Sequence, residues 1–181
     1  MVRKAILAGG CFWCTEAIYK RLKGVISVTP GYTGGTTDRP TYEAVSNGTT
    51  GHAEAIEIEY DTETIPYEKL LTIFFHTHNP TTLNQQGADI GPQYRSAVFY
   101  KNASEKETAE RMVQQLGNEK VYSDSIVTEI VPFTNFYPAE NYHRDYYDRN
   151  RAQGYCNIVI SPKIAKLMKE YAADVKEEFK K

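Results

Sequence analysis

The stretch "KAILAGGCFWCTEAIYKRLKG" (residues 4–24) constrains the fold more than any other part of the chain. Its first part, "KAILAGG", has the length and apolar character of a short buried strand. Its second part, "TEAIYKRLKG", starts a helical pattern in which Ala17, Ile18, Leu22 and Val25 fall near helical spacing and Gly24 ends the helix. A strand must therefore become a helix within a few residues, across Gly9, Gly10 and Cys11. The two glycines allow a tight turn and leave room for another group beside the backbone. A thiol then stands at the helix entrance, where unpaired N–H groups carry partial positive charge. Such a position stabilises a thiolate, so a Cys11 pKa below the ordinary thiol value is expected.

The rest of the chain mixes both periodicities. "VISVTPGY" (25–32) alternates like a strand. "AEAIEIEY" (53–60) alternates strictly, with Ala55, Glu57 and Glu59 on one face and Ile56, Ile58 and Tyr60 on the other, as in a half-buried strand. "YRSAVFY" (94–100) and "SIVTEIV" (125–131) read as further strands. Pro66 opens a helix over "PYEKLLTIFFHTH" (66–78). Ser104 and Glu107 make a capping-box pattern ahead of "KETAERMVQQLG" (106–117). Ser161 as cap and Pro162 in the first turn predict a last helix over about 162–181, with Ile164, Leu167, Met168, Tyr171 and Val175 as its apolar stripe. The Gly- and Thr-rich segment 33–52 and the segment 79–93 read as long irregular loops, and 138–156 as a short helix plus an extended tail. Mixed elements of this kind predict an α+β layer architecture. With 181 residues and no repeat or linker, the expectation is one domain over 1–181, the helix at about 162–181 being an appendage.

Composition removes several function classes. A net charge of −2 argues against a protein that binds nucleic acid by neutralising phosphates. No apolar run is long enough to span a bilayer, so no membrane contact is expected. "MVRKAILAGG" lacks the apolar core and cleavage site of a signal peptide, which predicts a cytoplasmic protein. Three cysteines are too few, and odd in number, for a secreted disulfide scaffold. Zinc usually takes four ligands at paired spacings, and no second pair accompanies Cys11 and Cys14, so neither metal nor cofactor is expected. Thiol chemistry remains. The only tryptophan lies between Cys11 and Cys14, where Phe12 and Trp13 form a rigid apolar surface beside a nucleophile. One alternative is a thiol-disulfide oxidoreductase using Cys11 and Cys14, although a Phe-Trp pair crowds an incoming protein disulfide. Another is a non-enzymatic module binding peptides at Trp13.

"GGCFWCTE" (9–16) resembles the active-site signature of the A-type peptide methionine sulfoxide reductases. Further stretches fit in the same order: "PGYTGG" (30–35), "PTYEAVSNGTTGHAEAIEIEYD" (40–61), "YEKLLTIFFHTHNPTT" (67–82), "QGADIGPQYRSAVFY" (86–100) and "PFTNFYPAENYH" (132–143). The resemblance runs from about residue 5 to 156. It implies a two-layer ferredoxin-like core with a mixed sheet. It also implies reduction of methionine S-sulfoxide, free or in oxidised proteins and peptides, with thioredoxin as reductant. By the same resemblance Cys11 is the nucleophile and Glu54 in "GHAE" is the acid that protonates the sulfoxide oxygen. Tyr42 and Tyr94 are phenols aimed at that oxygen, Asp89 is a supporting partner, and Phe12 and Trp13 hold the methyl group. Cys11 then becomes a sulfenic acid, which a second thiol converts to a disulfide. Cys156 in "QGYC" matches a family resolving cysteine in a mobile segment, with Cys14 as the alternative. Many members carry a further cysteine in a glycine-rich tail; here a charged helix follows and no cysteine appears. His52 is expected to position the loop before Glu54, and His143 to order the C-terminal segment.

Overall fold

The N-terminal apolar run forms β1 (Val2–Gly9), and α1 (Phe12–Tyr19) begins after only two intervening residues. The computed structural model describes residues 1–181. β2 (Val25–Thr33) follows, then α2 (Tyr42–Ser46), a short helix inside the segment read as a loop, with Thr41 as its cap. β3 (Ala53–Asp61) and α3 (Tyr67–Thr77) come next. The second expected loop holds a two-residue hairpin, β4 (Gln85–Gln86) with β5 (Asp89–Ile90), and a 3-10 turn at Pro92–Tyr94. β6 (Ser96–Tyr100), α4 (Ala103–Asn118), β7 (Glu129–Pro132) and β8 (Phe136–Pro138) complete the sheet elements. After a 3-10 turn at Asn141–His143 come α5 (Tyr146–Arg149), a π-helical turn at Cys156–Ile160, and α6 (Ser161–Glu170).

The main sheet has six strands in the order β7-β6-β1-β3-β2-β8. Every pair is antiparallel except β6 with β7. The fold is therefore α+β on a mixed sheet, as expected. Alternation along the central strands divides the core in two. Leu7, Ile56, Ile58, Tyr60 and Val98 face α1 and α3 and join Ile18, Leu22, Leu70 and Phe74 in the larger cluster. Ile6, Ala8, Ala53, Ala55, Ala97 and Phe99 form a smaller cluster on the other face. No helix is long and apolar enough to cross a membrane.

Several local expectations change, beginning with the first helix, which ends at Tyr19 rather than at Gly24 and leaves Val25 to β2. The fourth helix starts earlier than the Ser104/Glu107 pattern implied. Asn102 is its cap, accepting from the Glu105 N–H at 3.0 Å, and Glu105 reaches back to the Lys101 N–H at 2.7 Å. Asn caps as well as Ser, so the pattern was read two residues late. The strand expected over 125–131 is ordered only from Glu129. The helix expected over 162–181 stops at Glu170, because the chain turns back so that Val175 bridges Leu22 and is fully buried. Ser161 does not cap that helix, since the π-helical turn feeds straight into it.

Candidate active site

The β1–α1 junction builds the site. Gly10 has φ +92°, and a Cβ there would stand 2.6 Å from Gln86 Cγ, so the turn requires glycine on both counts. Cys11 is the N-cap residue of α1, and its carbonyl accepts from the Cys14 N–H at 3.1 Å. It is 7% exposed, the only slight opening among three otherwise buried cysteines. Phe12 N–H, one of the unpaired donors of the first turn, donates to Glu54 Oε1 at 3.1 Å.

Glu54 comes from β3, directly opposite Tyr32 of β2, and is 1% exposed. It shares a face with Ile56, Ile58 and Tyr60, so a carboxyl group occupies what is otherwise an apolar row. Burial raises its pKa to about 8, opposed by the Phe12 N–H and reinforced by Asp89 and Cys14. Glu54 is therefore largely a neutral acid at pH 7. Oε1 already accepts a hydrogen bond, and Oε2 is buried without a partner. In the neutral acid the proton belongs on Oε2, the oxygen that accepts no hydrogen bond.

Two phenols converge on the same space. Tyr42 opens α2, and its backbone N–H is held by Glu140 Oε2 at 3.1 Å. Tyr94 ends the 3-10 turn beyond β5. Burial pushes both hydroxyls up, Tyr42 to about 12, and both feel Glu54 and Cys11 as negative neighbours. Both remain protonated donors. Asp89 lies at the rim and accepts from the Tyr155 hydroxyl at 2.6 Å.

The three thiols share one cluster with Ala17, Tyr147 and Ile160. Burial, then the hydrogen bond and charge of Cys14, hold the Cys11 thiol well above its ordinary value. The helix N-terminus does not overcome that desolvation, contrary to expectation. The Cys14 thiol is lowered to about 7, chiefly by its hydrogen bond with Cys11, with help from the Lys163 charge. The pair thus shares one negative charge near neutral pH. Cys156 is fully buried in the π-helical turn, and the charged neighbour it feels is Cys14.

The apolar wall is more elaborate than Phe12 and Trp13 alone. Trp13 stacks on Tyr146 with ring centres 3.7 Å apart and 6° between planes, and Tyr155 meets it edge-on at 5.8 Å. Its indole N–H donates to His143 Nδ1 at 3.0 Å. That bond places the His143 proton on Nε2, which is buried and unpartnered. Phe12 packs between Tyr32, Tyr42 and His143. His52 lies away from the reacting groups: its Nδ1 accepts from the Gly35 N–H at 3.0 Å and its Nε2 donates to the Thr37 carbonyl at 2.7 Å. It positions the loop, as expected. Sequence reasoning missed Tyr146, Tyr155, Glu140 and Tyr32. The aromatic density of "ENYHRDYYDRNRAQGYC" was the available signal. No group of three or more His, Cys, Asp or Glu side chains is arranged to hold a metal ion.

Known proteins resemble this chain over most of its length. The family model described as peptide methionine sulfoxide reductase matches residues 3–176. The chain is 53% identical over 172 residues to the peptide methionine sulfoxide reductase MsrA of Saccharolobus solfataricus, covering 95% of this chain and 96% of that one. It is 54% identical over 168 residues to the Deinococcus radiodurans MsrA, covering 93% and 82%. Reduced Mxr1 from Saccharomyces cerevisiae superposes with a TM-score of 0.80 at 33% identity, covering 86% of this chain and 89% of that one. Mxr1 in complex with Trx2 superposes at 0.57 and 25% identity, covering 80% and 84%.

Proposed function

We propose that this chain, which belongs to the peptide methionine sulfoxide reductase family, reduces methionine S-sulfoxide, free or in proteins, with thioredoxin restoring the enzyme. The observation that carries the mechanism is the buried Glu54 carboxyl, whose Oε1 accepts from the Phe12 N–H next to Cys11 and whose Oε2 has no partner. A sulfoxide oxygen is a poor leaving group, and reduction requires that it be protonated as sulfur is attacked. Cys14, whose thiol is lowered to about 7, takes the Cys11 proton and leaves the thiolate on Cys11. That thiolate attacks the sulfoxide sulfur while Glu54 protonates the oxygen and Tyr42 and Tyr94 donate to it. The S–O bond to the methionine sulfur breaks, the oxygen bonds to the Cys11 sulfur as the Cys11–methionine S–S bond breaks, and methionine departs, leaving Cys11 as a sulfenic acid. Trp13 and Phe12 hold the methyl group, so that one epimer presents its oxygen to Glu54. The order β6-β1-β3-β2, antiparallel throughout, supports a ferredoxin-like frame behind this site. Three free thiols, two of them used in turnover, suit a reducing compartment, the cytoplasm.

The function is tested by incubating the protein with racemic methionine sulfoxide and dithiothreitol. Consumption of the S epimer alone, with one thiol pair oxidised per methionine formed, is expected. Protein-disulfide exchange without sulfoxide loss would instead mark a thiol-disulfide oxidoreductase.

For the resetting step the geometry supports Cys14 rather than Cys156 as first partner. Cys14 lies one helical turn from Cys11, in the same buried cluster and with its thiol 3.8 Å from the Tyr155 hydroxyl, whereas Cys156 is anchored in a turn continuous with α6, next to the buried Ile160. Any shift of Cys156 toward Cys11 carries with it the turn that holds it and the start of α6. The Cys14 thiol, holding the proton it took from Cys11, attacks the sulfenic sulfur; the S–O bond breaks, and the departing hydroxide leaves as water with that proton. Peptide mapping after one equivalent of sulfoxide should therefore find Cys11 bonded to Cys14. Cys14→Ser should give a single burst of methionine and then stall with thioredoxin, leaving a dimedone-reactive Cys11. Cys156→Ala should recycle at close to the wild-type rate. A mapped Cys11–Cys156 bond together with a stalled Cys156→Ala would exchange the two roles.

A further inference from the structure

Trp13 is the wall of the methyl pocket, yet its two fixing contacts come from one short segment. His143 takes its N–H and Tyr146 takes its face. Within residues 141–149, Arg149 donates to the Tyr142 and Arg144 carbonyls, each at 2.7 Å, but the Asp145 N–H and the Asp148 carboxylate are held from outside the segment. α5 is four residues long, far below the length at which a helix is stable alone. Asp145, just before it, is in the left-handed region at φ +52°, a conformation that costs a non-glycine residue free energy and persists only where its surroundings impose it.

The imposing groups lie on and just beyond α1, on the turns that follow Cys14. Glu16, 3% exposed, accepts from the Asp145 N–H at 2.8 Å. Lys20 reaches Asp145 Oδ1 at 2.5 Å and Asp148 Oδ2 at 2.7 Å. Arg21, 2% exposed, donates to Asp148 Oδ1 at 2.5 Å and to the Ala17 carbonyl at 2.7 Å. Burial pushes Asp148 up, but hydrogen bonds from Lys20, Arg21 and Arg151 hold it well below the usual carboxylate range. Burial raises Glu16 to about 7 against the pull of the Asp145 N–H and Lys20, as for a carboxyl kept dry in order to accept one backbone donor. The far end of the chain closes over this group. The Phe179 ring covers the Arg21 guanidinium at 4.7 Å, and the Lys176 N–H donates to the Arg21 carbonyl at 2.8 Å.

We propose that Glu16, Lys20 and Arg21 form a clamp on Asp145 and Asp148 that positions the Trp13 wall from behind, making Glu16 a positioning residue for substrate binding. None of the three touches Trp13 in a hydrogen bond or ring contact. They act through the backbone of 145–148, which presents His143 on one side and Tyr146 on the other. The inference rests on the reductase reading for its kinetic readout. Its optical readout stands apart, because Trp13 is the only tryptophan and its emission reports this wall alone.

The test compares Glu16→Leu, which removes the acceptor, with Glu16→Gln, which keeps an oxygen at the same reach. Glu16→Leu should raise KM for a methionine-sulfoxide peptide by about tenfold, the weight of one charge-assisted hydrogen bond, with kcat held within about twofold. Its tryptophan emission should shift to the red and become more open to acrylamide quenching. Glu16→Gln should restore both readouts. Should Glu16→Leu fail to fold, Lys20→Met carries the test, with the same red shift and about a threefold rise in KM. Wild-type emission and KM in the folded variant overturn the clamp, as does a raised KM with unaltered emission. If the wild-type chain itself reduces no sulfoxide, the reductase reading fails, and the emission arm still decides whether Glu16 orders Trp13.

Discussion

Cys11→Ser should form no methionine beyond about a hundredth of the wild-type single-turnover amount, while its fold and tryptophan emission stay those of the wild type. A serine hydroxyl ionises far less readily than a thiol, and burial at this position would suppress the alkoxide further. The lost charge also has no substitute. Cys14 is 2% exposed and packs against Ala17, Tyr147 and Cys156. Its thiolate can take a proton from Cys11 or attack a sulfenic acid there, but it lies beneath the nucleophile rather than in front of it. The measurement is a single mixing of reduced enzyme with methionine-sulfoxide peptide, quenched and counted for methionine. An appreciable burst from Cys11→Ser would remove Cys11 from the nucleophile role and turn attention to Cys14. The same variant separates attack from binding: its pocket keeps Glu54 and Trp13, so it should still bind the peptide.

The strand-to-helix junction was legible because two glycines and a change of period lie side by side in sequence. The resemblance then supplied Glu54, Tyr42, Tyr94 and Asp89, which spacing alone could not have selected. Yet Glu54 carried a local signal of its own. It falls in register with Ile56, Ile58 and Tyr60, the one charged residue on the face that the alternation marks as buried. A carboxyl in an apolar row is either an error of register or a functional acid, and the unbroken antiparallel register from Ser27↔Glu59 through Tyr32↔Glu54 to Thr33↔Ala53 removes the first reading. Cys156 was harder. "QGYC" reads as flexible because glycine precedes it, but Ile160 and Leu167 are fully buried and anchor the following turn and helix. Local composition does not reveal that anchoring, which depends on contacts with α1 far away in sequence. The Cys11 pKa misleads for a related reason. The helix entrance is visible in sequence, whereas the burial that outweighs it is a property of the assembled site.

Glu54→Gln should slow the chemical step by about 10²–10⁴-fold, because an amide fits the same space and still accepts from Phe12 but delivers no proton. The pH dependence identifies the proton. In the wild type, the rise with pH should follow the thiol pair near 7, and the fall should follow loss of the Glu54 proton near 8. Glu54→Gln should lose the falling limb and keep the rising one. Stability should move the opposite way. The folded-state pKa of Glu54 lies above its ordinary 4.5, so the native protein holds this proton more tightly than the unfolded chain does. That contribution is fully present below about 4.5 and is lost as pH rises to about 8, where the buried site must carry a charge. Relative to Glu54→Gln, the wild type should therefore lose about 3 kcal/mol of unfolding free energy between pH 5 and 8, read from urea midpoints across that range. A wild-type single-turnover rate in Glu54→Gln at neutral pH, or a falling limb that survives the substitution, would remove Glu54 as the acid. A lost limb with no relative gain in stability would mean that the carboxyl titrates in the substrate complex and not in the free protein. Loss of rate together with gain of stability is the outcome expected of a buried acid kept for its proton, since the residue that costs the fold most at pH 8 is the one that makes the sulfoxide oxygen leave.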